Sequence, residues 1–374
     1  MSKKKCIIIN STAASSGGAL TIINEFIGAI IDTSICNEYD FIFFTSVDFK
    51  VSSSANIKFI NLGKKSNLQR IQWDYVGFKS FLKRNNLKPD LIISFQNTGV
   101  RYPSNCTQLI YFHNTFCLLP YKWNLFKKSE RTLWFYTWVY PLFIRALINK
   151  NTKFIVQANW IKKDFARNFS VEPEKITVIP PTVKSLELGN NHLIDDGQYR
   201  LFFPATSFVY KNHGLLFKML SSLKNNHFKI YEKILLVFTL SEDNIIDLGL
   251  LSEYKKVSER VLLLGYINKE QMVEQYINAD IVVFPSLIET FGLPLIEAAS
   301  LNKRIICANE KYAYETLANY GNVDFINSHS PDLWAEKCAE ILPYGPVRDQ
   351  RSDEDSGKKD SWGQIIDEIT KIIN

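Results

Sequence analysis

Two carboxylates, Glu289 and Glu297, are separated by seven residues in FPSLIETFGLPLIEAA (284–299), just after the apolar run ADIVVFPS. The apolar run reads as a strand, and the segment after it as a loop that enters a helix near 292–294. Pro294 suits a first helical turn, where its missing N–H would have no partner anyway. A strand, a loop and a helix N-terminus together make an anion site, because free backbone N–H groups and the positive end of the helix dipole point at the bound group. Gly292 lets a ligand approach the backbone closely. Carboxylates beside such a site make sense as acceptors for sugar hydroxyls rather than as phosphate contacts. From spacing alone, Glu297 reads equally well as a cap or a solvent-facing residue.

Other residues could do chemistry. Lys211 follows the apolar run LFFPA and opens Lys211-Asn212-His213, where position alone makes it a surface lysine in a strand–helix loop. Gly17 and Gly18 lie between the first apolar run and the first helical pattern, without a G-x-G-x-x-G fingerprint, and a simple tight turn explains them as well as a function does. His113 ends the run QLIYFH, and a lone histidine at a strand end is more often structural than functional. His192, His213, His227 and His329 show no metal-ligand spacing. Asp353-Glu354-Asp355 has a D-x-D form but sits in a polar stretch and reads as a solvated charge run. Between 121 and 143, nine aromatic residues, Trp123 and Trp134 among them, are interleaved with Lys122, Lys127, Lys128 and Arg131. That mixture suits a membrane interface, where rings sit at headgroup level and cations meet anionic lipid. Nucleic acid would meet the same chemistry, and a buried aromatic helix with a basic rim is the structural alternative. The membrane surface is the reading taken, with no nucleic acid among the expected partners.

The elements that must position these residues alternate strand and helix. Strand-like runs fall at 6–10, 39–45, 57–62, 90–95, 108–113 and 153–157, with helical patterns between several of them, such as 69–85. The second half repeats the scheme, with strands expected at 200–205, 233–240, 260–264, 280–285 and 303–308 and helices at 213–223, 270–278, 293–300 and 331–342. Such alternation argues for parallel α/β sheets, and continuous apolar runs such as LIIS suit strands covered on both faces. The stretch TVIPPTVKSLELGNN marks a boundary near 180–190, so the expected domains are 1–181, 182–360 and a last helix in 361–374 that packs back on the first domain.

A chain of 374 residues exceeds what one core usually supports, in line with two domains. The net charge of +6 hides a division: 24 Lys+Arg against 11 Asp+Glu through residue 180, a balance of +13, and 20 against 27 thereafter, a balance of −7. The halves are thus expected to meet different partners. Six scattered cysteines without a C-x-x-C pair read as free thiols, which fits a reducing, cytoplasmic compartment. The start MSKKKCIIIN has too short an apolar stretch for a signal peptide, and no window approaches the ~20 apolar residues of a spanning helix.

Around FGLPLIE, Glu289 and Glu297 resemble the E-x7-E signature of the family 4 glycosyltransferases. The likeness extends upstream through VLLLGYINKEQMVEQYINADIVVFPS and downstream through LNKRIICANEKYAYETL, covers most of the second half and is diffuse in the first. It implies a GT-B fold: two Rossmann-like domains whose parallel sheets face each other across a cleft, the first binding acceptor and the second a nucleotide-sugar. It also implies a retaining transfer of sugar from a nucleotide-diphosphate donor to an acceptor hydroxyl. Glu297 would accept from the ribose hydroxyls and Glu289 from the transferred sugar. The N–H groups of Phe291, Gly292 and Leu293 would meet diphosphate and sugar, and Lys211 would neutralise the leaving diphosphate. Tyr266 and Ile267 would flank the base, Gly17 and Gly18 would let donor phosphate approach, and His113 would contact sugar or acceptor. No cofactor or metal is expected, and a UDP-sugar is placed ahead of a GDP-sugar. The expected setting is the inner face of a bacterial plasma membrane, where a lipid-linked glycan of O-antigen or capsule synthesis would be the acceptor. One departure stands out: the family's Arg five or six residues before the lysine is absent, and Ala205, Thr206 and Ser207 occupy that stretch. A nucleotide-sugar epimerase of the same fold and a non-catalytic binding protein are the rival readings.

Overall fold

Isoleucines and phenylalanines in short unbroken runs build the first sheet. In the computed structural model, which describes residues 4–49, 56–102, 105–182, 194–344 and 360–374, Cys6–Asn10 (β1) is an interior strand, and Ile7, Ile8 and Ile9 are fully buried. Asp40–Thr45 (β2), Ile57–Asn61 (β3), Leu91–Ser94 (β4), Thr107–Phe112 (β5), Thr152–Val156 (β6) and Ile176–Val178 (β7) complete seven parallel strands in the order β3-β2-β1-β4-β5-β6-β7. The register sets Asn10 beside Ser94 at the carboxyl ends of β1 and β4, where the strand order reverses.

A second, six-stranded parallel sheet is formed by Tyr199–Phe203 (β8), Ile234–Phe238 (β9), Val261–Leu263 (β10), Ile281–Phe284 (β11), Arg304–Ala308 (β12) and Val323–Ile326 (β13), in the order β10-β9-β8-β11-β12-β13. Its order reverses between β8 and β11. In open α/β sheets such reversal points are where ligands bind, outside the carboxyl ends of the strands.

Helices cover the sheets through apolar faces of helical period. In Gly17–Asp32 the buried residues are Ile23, Phe26, Ile27 and Ile30, the i, i+3, i+4, i+7 stripe of an amphipathic helix. The C-terminal helix, Ser361–Ile373, packs beside it and buries Ile365, Ile366, Ile369 and Ile373 in the same core. Trp362 lies 5.8 Å from the Phe26 ring and 6.2 Å from the Tyr111 ring, and reciprocal hydrogen bonds tie Thr182 to Ser361. The helices His213–Asn226 and Pro331–Ile341 pack together on the second sheet, burying Leu220, Leu223, Trp334 and Cys338.

The chain divides into two compact units, one of Met1–Lys122, Leu133–Thr182 and Ser356–Asn374 and the other of Trp123–Thr132 and Val183–Asp355. The segment Trp123–Thr132, read above with the first domain, therefore groups with the second unit. All six cysteines are free thiols. Among the described residues no helix is long and apolar enough to cross a membrane.

Candidate functional site

β11 ends at Phe284, and the loop beyond it leads through Gly292 into the helix Leu293–Ser300. Gly292 is the N-cap, with φ +80, and no side chain caps the helix. A Cβ at this position would also meet Leu295 Cδ1 and Tyr312 Cδ2 at 3.3 Å. Glycine is thus required by conformation and by space. The loop is held from several sides. The Tyr312 hydroxyl donates to the Ser286 carbonyl at 2.7 Å, the Thr316 hydroxyl donates to the Phe291 carbonyl, and Leu287 N–H donates to the Tyr210 carbonyl at 2.8 Å. A rigid loop before an uncapped helix N-terminus is a preformed cradle for an anion.

Lys211 comes from the other side of the reversal point, in the turn Val209–Lys211 after β8. Its ammonium is 2.5 Å from Glu289 Oε1, with both side chains largely enclosed, and it lies over the rings of Tyr210 and Phe284 at 5.6 and 5.7 Å. Sequence reasoning assigned Lys211 and Glu289 to separate ligand groups; here they neutralise each other. Asn212, at φ +59, donates to the Ser328 carbonyl at 2.9 Å and so fixes the turn. His213 is fully buried behind Lys211. Burial drives its pKa down to about 3, the nearby Lys211 charge adds to that, and a hydrogen bond with the Ala205 backbone opposes it. It is a neutral core residue.

Glu297 lies in the second turn of the helix, half-buried, and Oε2 accepts from the Tyr276 hydroxyl at 2.8 Å. Burial, and secondarily the Glu297 carboxylate, push the Tyr276 phenol well above its usual range, so it stays a donor. Tyr276 was not singled out in the sequence, where it looks like any apolar-face residue of the helix Lys269–Asn278. Phe291 and Ile267 are half-buried, Leu293 is exposed, and Tyr266, following Gly265 at φ +68, is 97% exposed. In the stretch without arginine, Ala205 is buried and exchanges hydrogen bonds with the Thr239 hydroxyl at 3.1 and 3.2 Å.

In the first unit, Gly17 has φ +61, and a Cβ on either Gly17 or Gly18 would meet nothing within 4 Å. The pair is the open start of the helix Gly17–Asp32. His113 directly follows β5 rather than closing it. Burial lowers its pKa to about 4, against a hydrogen bond with the Tyr111 backbone. Asn97 Nδ2 is 3.4 Å from His113 Nε2, and Asn97 Oδ1 accepts from the backbone N–H groups of His113 and Asn114 at 2.6 and 2.9 Å. Nearby, Asp74 is buried among Asn10, Gln96 and Thr98. Asp74, Gln96 and Asn97 were missed. Asp74 did leave a trace, because it stands four residues before buried Phe78 and eight before buried Leu82, in a core slot of the helical pattern. The turn holding Asp74 also borders an open groove of about 410 Å³ whose lining includes Lys64, Lys65 and Arg84.

The aromatic and basic segment is loop up to the short helix Arg131–Trp134. Lys122, Lys127, Lys128 and Arg131 are exposed, Trp123 and Trp134 half-buried, Phe126 is 90% exposed, and Lys127 pairs with Glu130 at 2.7 Å. No group of three or more His, Cys, Asp or Glu suited to a metal occurs among the described residues. The run Asp353-Glu354-Asp355 and the boundary stretch from 183 onward lie outside the described residues.

Two Rossmann-like units of seven and six parallel strands are the elements of the GT-B class. Residues 186–354, a stretch within the second unit, match the model of the family described as glycosyl transferases group 1. The chain is 23% identical to the O-antigen chain mannosyltransferase RfbU of Salmonella typhimurium, over 87% of this chain and 85% of that one. It is 27% identical over 113 residues to a D-inositol 3-phosphate glycosyltransferase of Mycolicibacterium smegmatis, spanning about a quarter of that relative's length. In fold it is similar to WaaG, a glycosyltransferase involved in lipopolysaccharide biosynthesis, with a TM-score of 0.62 at 17% identity, covering 90% of this chain and 91% of that one.

Proposed function

We propose that this chain is a retaining glycosyltransferase of the family 4 type, which moves a sugar from a nucleoside-diphosphate donor to an acceptor hydroxyl. The observation that carries the reading is the Lys211–Glu289 pair beside the uncapped start of the helix Leu293–Ser300. A bound diphosphate would lie against the N–H groups of 291–293. Lys211 would turn from Glu289 to the phosphate, and Glu289 would be freed to accept from a sugar hydroxyl. Glu297, braced by Tyr276, would accept from the ribose. In the reaction the bond from the anomeric carbon to the phosphate oxygen breaks and one to the acceptor oxygen forms. The acceptor proton leaves on the diphosphate, on the same face. Catalysis would come from positioning and from stabilising the charge on the departing group, with neither metal nor cofactor. The missing arginine leaves Lys211 and the helix end as the cationic partners of the phosphates.

Similarity to an O-antigen mannosyltransferase over most of the chain supports a bacterial surface glycan as the product. The basic groove at Lys64, Lys65 and Arg84 and the exposed cations of 122–131 suit a phosphate-bearing, lipid-linked acceptor at the inner membrane face. The test is to incubate the protein with a panel of UDP- and GDP-sugars and a lipid-linked glycan, and to record nucleotide release and the anomeric configuration of the product by NMR. Acceptor-dependent release with retained configuration is expected. Donor converted without acceptor would mark an epimerase, and an inverted product would overturn the retaining mechanism.

A further inference from the structure

One buried carboxyl group in the first unit lies outside the Lys211–Glu289 site described above. Asp74, 7% exposed, accepts at Oδ1 from Asn10 Nδ2 at 3.1 Å and from Gln96 Nε2 at 2.7 Å, and at Oδ2 from the Thr98 hydroxyl at 3.4 Å. Its partners come from the ends of β1 and β4, the point where the strand order reverses. A carboxyl group in such a place is costly unless hydrogen bonds surround it. Burial pushes its pKa up to about 7, against the pull of the Asn10, Thr98 and Gln96 hydrogen bonds and the Arg70 charge. The chain also distorts itself to bring Asp74 inward. Trp73–Gly77 is a π-turn inside a helix, so that Trp73, Asp74 and Phe78 are all buried at once. Single π-turns of this kind occur often at functional sites.

The network leads to His113. Gln96 is held a second time by the Thr12 hydroxyl at 3.2 Å, and its carbonyl accepts from the Tyr140 hydroxyl at 2.6 Å. The next residue, Asn97, is in the left-handed region at φ +65. Because its side-chain oxygen takes two backbone N–H groups, its NH2 must face His113 Nε2. A ring nitrogen that accepts from an amide carries no proton, so the neutral imidazole bears its proton on Nδ1. A substrate hydroxyl would then meet Nε2 as an acceptor, in exchange for the long 3.4 Å bond to Asn97.

We propose that Asp74 is a positioning residue: its carboxyl group fixes the 96–98 loop, and through Asn97 in that loop it sets the tautomer and direction of the His113 imidazole. The proposal rests on the reading of His113 as a group that contacts sugar or acceptor.

The test compares full-length wild type with Asp74→Ala, Asp74→Asn and Asn97→Gly. Readouts are histidine-selective 15N NMR, thermal unfolding, and kcat and KM for transfer. Wild type should show His113 neutral with an unprotonated Nε2. Asp74→Ala strips the acceptor from two buried amides and should mix the tautomers and lower kcat by about tenfold or more, with donor KM little changed. Asp74→Asn keeps one acceptor oxygen and should recover most of the loss. Asn97→Gly suits the left-handed backbone but removes both the NH2 that faces His113 and the oxygen that accepts from the N–H groups of His113 and Asn114, so it should reproduce the spectral change at a modestly lowered unfolding temperature. It also carries the test if Asp74→Ala does not fold. A wild-type His113 spectrum in both Asp74→Ala and Asn97→Gly would overturn the proposal, as would Asp74→Asn impaired as deeply as Asp74→Ala. Should wild type transfer no sugar from any donor, the reading of function fails, while the NMR comparison still decides the positioning role.

Discussion

At the residue scale, what is legible in a sequence depends on how local the partners are. Glu289, Gly292 and Glu297 fall in one strand–loop–helix segment, so their placement around a helix start follows from spacing. Their partners come from elsewhere: Lys211 from 78 positions earlier and Tyr276 from 21. The pairing of Lys211 with Glu289 was therefore invisible, as was the assembly of Asp74 with two strand ends. Glu289→Gln leaves Lys211 enclosed without its counter-charge, and we expect a loss of ~1–3 kcal/mol in stability by denaturant titration, together with loss of transfer. The histidines give a pH prediction. His213 and His113 have folded pKa values near 3 and 4, below the ordinary 6.5, so the stability they contribute is present above pH 6.5 and is lost as pH falls toward those values. Asp74 works in the other direction: raised to about 7, it favours the fold below its ordinary 3.8 and loses that contribution as pH rises through 7. Urea titrations between pH 7 and pH 5 should show each such histidine removing up to ~1.4 kcal/mol per pH unit while Asp74 returns up to about the same for one group, so wild type should lose stability on balance and His213→Leu should lose visibly less per unit.

At the element scale, alternation of strand and helix was readable because buried parallel strands are continuous apolar runs and their covering helices carry one apolar stripe. Strand order was not, since register depends on pairings far apart in the chain. The π-turn in the expected helix 69–85 was hidden as well, because a one-residue insertion looks like noise in a 3.6-residue period. Two elements carry predictions. Gly292→Ala places a Cβ 3.3 Å from Leu295 and Tyr312 at φ +80; we expect ~1–3 kcal/mol of destabilisation in thermal unfolding and a weakened affinity for nucleoside diphosphate. Ile369, 1% exposed on the C-terminal helix, holds that helix to the first unit's core. Ile369→Ala should cost ~2–5 kcal/mol, and calorimetry should show the loss.

At the scale of the whole molecule, the +6 is less informative than its division into +13 and −7. The repeat of one α/β scheme in both halves was enough to expect two parallel sheets, but the grouping of Trp123–Thr132 with the second unit could not be seen in a linear reading. Those residues carry an exposed Phe126 beside exposed Lys127, Lys128 and Arg131. If this surface meets anionic lipid, replacing Lys122, Lys127, Lys128 and Arg131 by glutamine should weaken co-sedimentation with anionic liposomes several-fold while donor turnover in solution persists. Unchanged sedimentation would remove the membrane from the reading and leave the donor site untouched. That site is the centre of the functional reading, and titration calorimetry with UDP and with GDP tests it most directly. Wild type should bind one of them, and Lys211→Ala should bind it at least about tenfold more weakly. No binding of either nucleotide to wild type, or equal binding by the variant, would contradict a diphosphate site at Lys211 and the start of the helix Leu293–Ser300.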